Sequence, residues 1–450
     1  MINTPLKEVP GFLVDDPLFY QWVDENQQAV SGETKVQSNL TLTASYAQVV
    51  TTYDEFMEAL GEQQSVICLG ADIAMDTSLT VDYSCSITSQ NGSGLIRTDG
   101  LTTESLLTVQ GTKENPILVS LDGIVLDGKE ISSEAAAVHV TSYATLEVTN
   151  TLIQNNINTK WGYQAISGGG ISNAGTLKMY DGTILRNNQA ESGGGVYCAI
   201  PEKDEASNEY NTVEFYMYGG EITENTALSD SSSCLSAGGG VAMDSKYRVF
   251  SSFYMYGGKI YNNSAPAGNG GGVTLGCGDH GFDSKDTNLA CEDCNDAGHV
   301  PFLFYGGEIT DNDAQEEGGG VWLGCSAMDM RGGLIARNTA GTNGGGISNC
   351  CYCSLSLRMT GGTITKNRAL FGGGIGADSG SKIYGSISGT AMIYDNVATD
   401  IGDDLYEVTL NESQPDKVLT IQNRLAPRPY QKSLPTPNQV LAGMAAGIGL

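Results

Sequence analysis

The sequence predicts an all-β protein, a right-handed parallel β-helix with a short N-terminal capping helix. An Ile-x-x-Asn step recurs eight times between Ile153 and Asn396, seven Gly-Gly-Gly triplets fall between the steps, and aromatic and Met residues alternate ahead of them. Self-similarity at a fixed period marks a solenoid, in which each unit buries its core only against its neighbours.

The pairs are Ile153/Asn156, Ile184/Asn187, Ile222/Asn225, Ile260/Asn263, Ile309/Asn312, Ile335/Asn338, Ile364/Asn367 and Ile393/Asn396. The closest Ile positions lie 26 and 29 residues apart, about one three-sided coil, and longer gaps are insertions. Alternation as in Tyr216-Met217-Tyr218 is strand patterning. A helical repeat fails on chemistry, because each Gly costs a helix interior about 1 kcal/mol. At a bend between strands Gly is tolerated, since it reaches positive φ and lets backbones approach closely. Equivalent residues of stacked coils then sit about 4.8 Å apart, giving an apolar Ile ladder inside and an amide ladder of Asn, a residue that tolerates the left-handed conformation, at a bend. Because every coil needs this bend, the structural reading of those Asn is preferred over a ligand-binding row.

Residues 1–45 lie outside the repeat. Phe19-Tyr20-Gln21-Trp22, Val30–Thr34 and Leu40–Thr43 resemble the later half of a bacterial immunoglobulin-like domain with Trp22 in its core, which suggests a piece of a longer multidomain protein. Residues 46–425 form the β-helix. Thr52-Tyr53-Asp54-Glu55 has the form of a capping box, opening a short amphipathic helix from Tyr53 to Leu60 that would cover the exposed end of the stack. Ser65–Leu69 and Leu79–Val81 read as first strands, with Ile117–Leu121 and Leu146–Val148 in less regular coils. Regular coils run to about Tyr406, and Val418–Ile421 is the last strand candidate. Twelve or so coils would give a rod of about 55–60 Å. Residues 426–450 read as a Pro-rich linker and an apolar tail too short to span a bilayer.

Within 450 residues, 59 Gly and 17% charged residues fit repetitive β structure rather than disorder. A net charge of −29 argues against nucleic acid and anionic membranes as partners. Eleven Cys suggest an extracellular or cell-surface setting, although the odd count leaves one unpaired in a monomer. Met1–Gly11 carries Pro5, Pro10 and acidic residues where a secretory signal needs an apolar core.

The pairing of Gly-Gly-x-[Ile/Val/Leu] with a following x-x-Asn, over roughly residues 150–406, resembles the polymorphic outer-membrane proteins of chlamydiae and the pectate-lyase-like β-helix adhesins of bacterial surfaces. The chain departs from them in having Gly-Gly-Gly where they prefer Gly-Gly-Ala, and Ile where they carry Phe. Gly402-Asp403-Asp404-Leu405-Tyr406 is similar to a closing motif of such repeats. No C-terminal barrel is evident, which favours a wall-associated protein over an autotransporter, and Leu434-Pro435-Thr436-Pro437 lacks the Thr-Gly of a sortase signal. The resemblance implies adhesion or ligand display, with a host or neighbouring-cell glycan or protein as partner.

The same architecture carries polysaccharide lyases and glycoside hydrolases, so the fold does not decide function. No catalytic residues are assigned: no ladder of acids and Arg recurs at coil spacing, and the acid pairs Glu316/Glu317 and Asp403/Asp404 read as solvated. An ice-binding helix would need a regular Thr-x-Thr array, which is absent. The insertions carry more information. Three consecutive coils carry excursions at about 198–212, 242–252 and 276–300, and stacked coils place such insertions side by side. Tyr210, Tyr247, Arg248 and Phe282 are the candidate contacts of this composite projection. Its third part holds Cys277-x-x-His280 and Cys291-x-x-Cys294, the spacing of a tetrahedral zinc site. Disulfides or buried thiols are preferred there over structural zinc or calcium, and Cys350-Cys351-x-Cys353 carries the same choice. No other cofactor is expected.

Overall fold

The computed structural model describes residues 5–9, 19–24, 30, 32–35, 40–89, 91–160, 167–203, 208–229, 237–246, 249–276, 302–324, 326–349, 354–377 and 382–406. They form a right-handed parallel β-helix whose long sheets have 12, 11, 9 and 11 strands. Each full coil carries four strands rather than three. In one coil these are Glu214–Met217 (sheet I), Glu221–Thr223 (sheet II), Thr226–Ala227 (sheet III) and Val241–Met243 (sheet IV). The fourth arises because the Asn bend splits one side into a three-residue and a two-residue strand. The predicted strands appear as Val66–Leu69, Leu79–Val81, Ile117–Asp122 and Ala144–Thr149. The candidate strand Val418–Ile421 and the Pro-rich tail lie outside the described residues. Near the N-terminus, Phe19–Val23 pairs antiparallel with Thr43–Tyr46, and Trp22 is half-buried.

The capping box forms with one difference. Glu55 N donates to Thr52 Oγ1 at 3.2 Å, while the Glu55 carboxylate accepts from Thr51 N (2.7 Å) and Thr51 Oγ1 (2.9 Å) instead of from Thr52. The helix runs Tyr53–Gly61 and buries Phe56, Ala59 and Leu60 in the same core cluster as Ile67, Leu69 and Ile73 of the first coil.

Inside, sheet II stacks Ile153, Leu185, Ile222, Ile260, Ile309, Ile335, Ile364 and Ile393, each fully buried. Burial at each rung contributes about 1.5–3 kcal/mol. The second pair of the sequence reading needs correction: Leu185 and Asn188 occupy the ladder, not Ile184 and Asn187, because the turn after Tyr180 is one residue longer than the turn after Tyr218. Sheet I alternates inward and outward, with Phe215, Phe253 and Phe302 stacked inside at 4.8 Å.

Asn156, Asn188, Asn225, Asn263, Asn312, Asn338, Asn367 and Asn396 form the amide ladder. Each Nδ2 donates to Oδ1 of the next Asn at 2.9–3.0 Å, and each backbone N donates to the same atom. The left-handed position is not the ladder Asn but the residue before it, with φ of 52–58° at Asn155, Asn187, Glu224, Asn262, Asp311, Arg337, Lys366 and Asp395. A ladder Asn is buried and fixed by its neighbours, whereas the residue before it turns the chain. Only some of those turning residues are Asn.

The triplet Gly318-Gly319-Gly320 shows why three glycines recur. Gly318 sits at φ +66°, a Cβ on Gly319 would lie 2.3 Å from Thr339 O, and one on Gly320 would lie 2.7 Å from Gly346 O. The first supplies the turn and the other two let the next coil's backbone lie against them.

Candidate ligand-binding corner

The three long insertions leave one corner. They follow Val196–Cys198, Val241–Met243 and Val273–Leu275 of sheet IV, and return into Glu214–Met217, Ser252–Met255 and Phe302–Phe304 of sheet I. Since the three sheet IV strands pair in sequence, as do the three of sheet I, the excursions start and end side by side. Tyr247, Arg248 and Phe282, and the candidate zinc ligands Cys277, His280, Cys291 and Cys294, lie outside the described residues, as do Cys325, Cys350, Cys351 and Cys353.

Tyr210 is described, is 44% exposed, and lines a groove of about 1080 Å³ at this corner. It is joined through an antiparallel bridge to Lys203, whose ammonium lies 6.0 Å from the Tyr210 ring centre. The floor is the outward row of sheet IV, where His139, Ser172 and Tyr197 stack on successive coils. Tyr197 donates its hydroxyl to the Asp244 carboxylate at 2.8 Å, and Ser142 Oγ donates to Glu202 at 3.3 Å. His139 Nδ1 is buried without a hydrogen-bond partner. Burial holds the His139 pKa below the ordinary histidine value, against the opposing influence of the Glu202 carboxylate and the Ser172 backbone, so the ring is neutral at physiological pH.

Of these residues only Tyr210 was identified from the sequence. His139, Tyr197, Glu202, Lys203 and Asp244 are spread over a hundred residues, and only the coil register brings them together. The lone signal was His139 in Val138-His139-Val140, an outward polar position on an otherwise apolar strand.

In each acid pair read as solvated, at least one member is engaged by the fold. Glu317 accepts from Trp322 Nε1 (3.2 Å), Asn343 Nδ2 (2.8 Å) and Ser348 Oγ (3.2 Å), clasping two successive coils. Asp404 ends the amide ladder: its Oδ1 accepts from Asn396 Nδ2 (2.9 Å) and Asn396 N (3.2 Å), where a further Asn would have stood. Burial raises its pKa.

Cys198 is fully buried, its thiol pushed up to about 12, and Cys85 is pushed up to about 11 by burial. Both are inert core thiols in this state. Among the described residues no helix is long and apolar enough to cross a membrane.

Fold and corner together define the class, a right-handed parallel β-helix with an elaborated corner. Comparison with protein-family models gives no match, and comparisons with curated proteins and with solved structures likewise return none.

Proposed function

We propose that the chain is a non-catalytic bacterial cell-surface or secreted β-helix protein that acts in adhesion or ligand display through its insertion-bearing corner, toward a glycan or protein of a host or neighbouring cell. The observation that carries this reading is the common origin of the three insertions beside the groove that holds Tyr210. The resemblance of the repeat to polymorphic outer-membrane proteins and pectate-lyase-like adhesins supports it. Hydroxyl-rich walls with three tyrosines (Tyr143, Tyr197, Tyr210) and charges of both signs suit a polar, uncharged ligand such as a glycan end. The test is a glycan and surface-protein array probed with the wild type and with the Lys203→Ala/Tyr210→Ala variant. Loss of about tenfold or more in affinity for a shared ligand is expected, the size of a modest hot spot. Binding that survives the double substitution unchanged would remove the corner as the site.

A carbohydrate-active enzyme is the second reading, favoured by one observation: His139, Glu202 and Asp244 line the same groove. Against it, Asp244 is engaged by Tyr197, and Glu202 by Ser142. Release of reducing or unsaturated ends from a polysaccharide panel, abolished by His139→Ala, would establish this reading over the first.

A further inference from the structure

An aromatic band runs along the outward row of sheet I and the first residue beyond its strands. Tyr180, Tyr218, Tyr256 and Tyr305 stack on four successive coils, with ring centres 5.1, 5.2 and 4.8 Å apart and interplanar angles of 15°, 12° and 3°. Tyr216 and Tyr254 form a second column at 4.6 Å, and Tyr216 lies 6.2 Å from Tyr218. Although they are inner rungs, Tyr218 and Tyr256 remain 42% and 43% exposed. Rings stacked along the rod present their edges and hydroxyls outward, so the solvent meets a ribbed strip with one phenol per coil.

Beside this strip runs a trough of about 430 Å³, floored by the turn glycines of the same coils, Gly182, Gly220, Gly258 and Gly307. Its walls carry Asp181, Glu221 and Glu308 against one cation, Lys259. The cations at the two ends of the strip are already paired, Lys178 with Glu147 at 3.0 Å, and Arg331 and Arg358 with Asp329. The trough is therefore acidic on balance, within a chain of net charge −29. At the end of the column the Arg331 guanidinium lies 5.1 Å over the Tyr305 ring.

We propose that the strip and trough bind a linear polysaccharide bearing free amino groups, laid along the rod with one sugar per coil. The coil rise of about 4.8 Å is close to the length of a pyranose ring, so successive sugars meet successive tyrosines in register. An extended peptide advances about 3.3 Å per residue and falls out of step with the ladder, which sets the glycan above a basic peptide. Successive rings of a β-1,4-linked chain are turned by about half a turn, so every second ammonium faces the trough, in step with Glu221 and Glu308 two coils apart, while ring edges contact the sugar C–H and hydroxyl groups. This site is separate from the insertion corner, so its failure and that of the corner are distinguishable.

The experiment is calorimetric titration of the whole chain with β-1,4-linked glucosamine oligomers of increasing length, with their N-acetylated counterparts and with oligolysine as comparison probes. The glucosamine oligomers are expected to bind with affinity that rises with length until the four-coil strip is filled, and that falls with added salt. Tyr218→Ala/Tyr256→Ala is expected to weaken binding about tenfold, because it removes the two central ring contacts with the sugar chain. Glu221→Gln/Glu308→Gln is expected to weaken it and flatten its salt dependence, and serves as the readout if the alanine pair does not fold. The same titrations in a Lys203→Ala/Tyr210→Ala background separate the strip from the corner, and loss of glucosamine binding in that background would overturn the proposal. Equal binding of the N-acetylated oligomers, binding of oligolysine at the same affinity, or no binding of glucosamine oligomers would each overturn the proposal.

Discussion

At the residue scale, the amide ladder is directional. Every Oδ1 faces the N-terminal end and every donor pair faces the C-terminal end, so the last Asn needs an acceptor and Asp404 provides it. Its charge is costly there, because burial raises its pKa. A carboxyl with a raised folded-state pKa binds its proton more tightly when folded. Its contribution is thus fully present below the unfolded value and is lost as pH rises through the folded one. Asp404→Asn keeps an Oδ1 acceptor and removes the charge. The variant should melt a few degrees above wild type at neutral pH, with the difference closing as pH falls into the ordinary carboxylate range; melts across pH check this, and a gap that widens in acid contradicts it. Inside the ladder the sign reverses. Asn312→Ala strands the Asn263 donors and the Ile260 carbonyl, and should cost about 3 kcal/mol or more in denaturant unfolding.

At the scale of elements, the glycine turns separate two kinds of Gly. Gly319→Ala forces a Cβ against Thr339 O and should destabilise by about 3 kcal/mol, the upper range for overpacking. Gly61, at the end of the capping helix, has open space where a Cβ would stand, with no atom within 4 Å, so Gly61→Ala should be neutral or stabilise by about 0.5–1 kcal/mol. Paired unfolding curves decide whether close approach, rather than Gly content, is what the repeat protects. The repeat itself was legible because Ile, Asn and Gly each answer a constraint that every coil imposes, and the helix because Thr52 and Glu55 stand at capping spacing. The register at Thr183-Ile184-Leu185-Arg186-Asn187-Asn188 was not, since two aliphatics and two Asn fit the motif equally well and one extra turn residue decides between them. Tyr216-Met217-Tyr218 was legible as a strand but not as a surface. Its outward ring gains meaning only when Tyr180, Tyr256 and Tyr305 are known to lie on neighbouring coils. The groove was hidden for the same reason: that His139 lines one groove with Tyr197 and Glu202, some sixty positions onward, depends on insert length, which periodicity does not encode.

At the scale of the whole molecule, stability is a sum over neighbours, and the ends decide solubility. The longest sheet begins at Gln48–Val50, and the helix Tyr53–Gly61 lies over that end with Phe56 fully buried. Removing this cover does not touch the coils from Ile153 onward, which pair with their immediate neighbours in the stack and not with the helix. Phe56→Asp should therefore leave most of the β signal and the main thermal transition in place, while exposing the apolar end formed by Ile67, Leu69 and Ile73. An open end of parallel strands offers unpaired backbone groups to a second copy. The variant should accordingly associate in a concentration-dependent way, and hydrogen exchange should quicken in the first coils and not in those built on Ile309 and Ile335. Sedimentation and exchange measured together separate this from simple unfolding. A monomer with uniformly faster exchange would mean that the coils fold as one cooperative block and that the helix is part of the core rather than its lid.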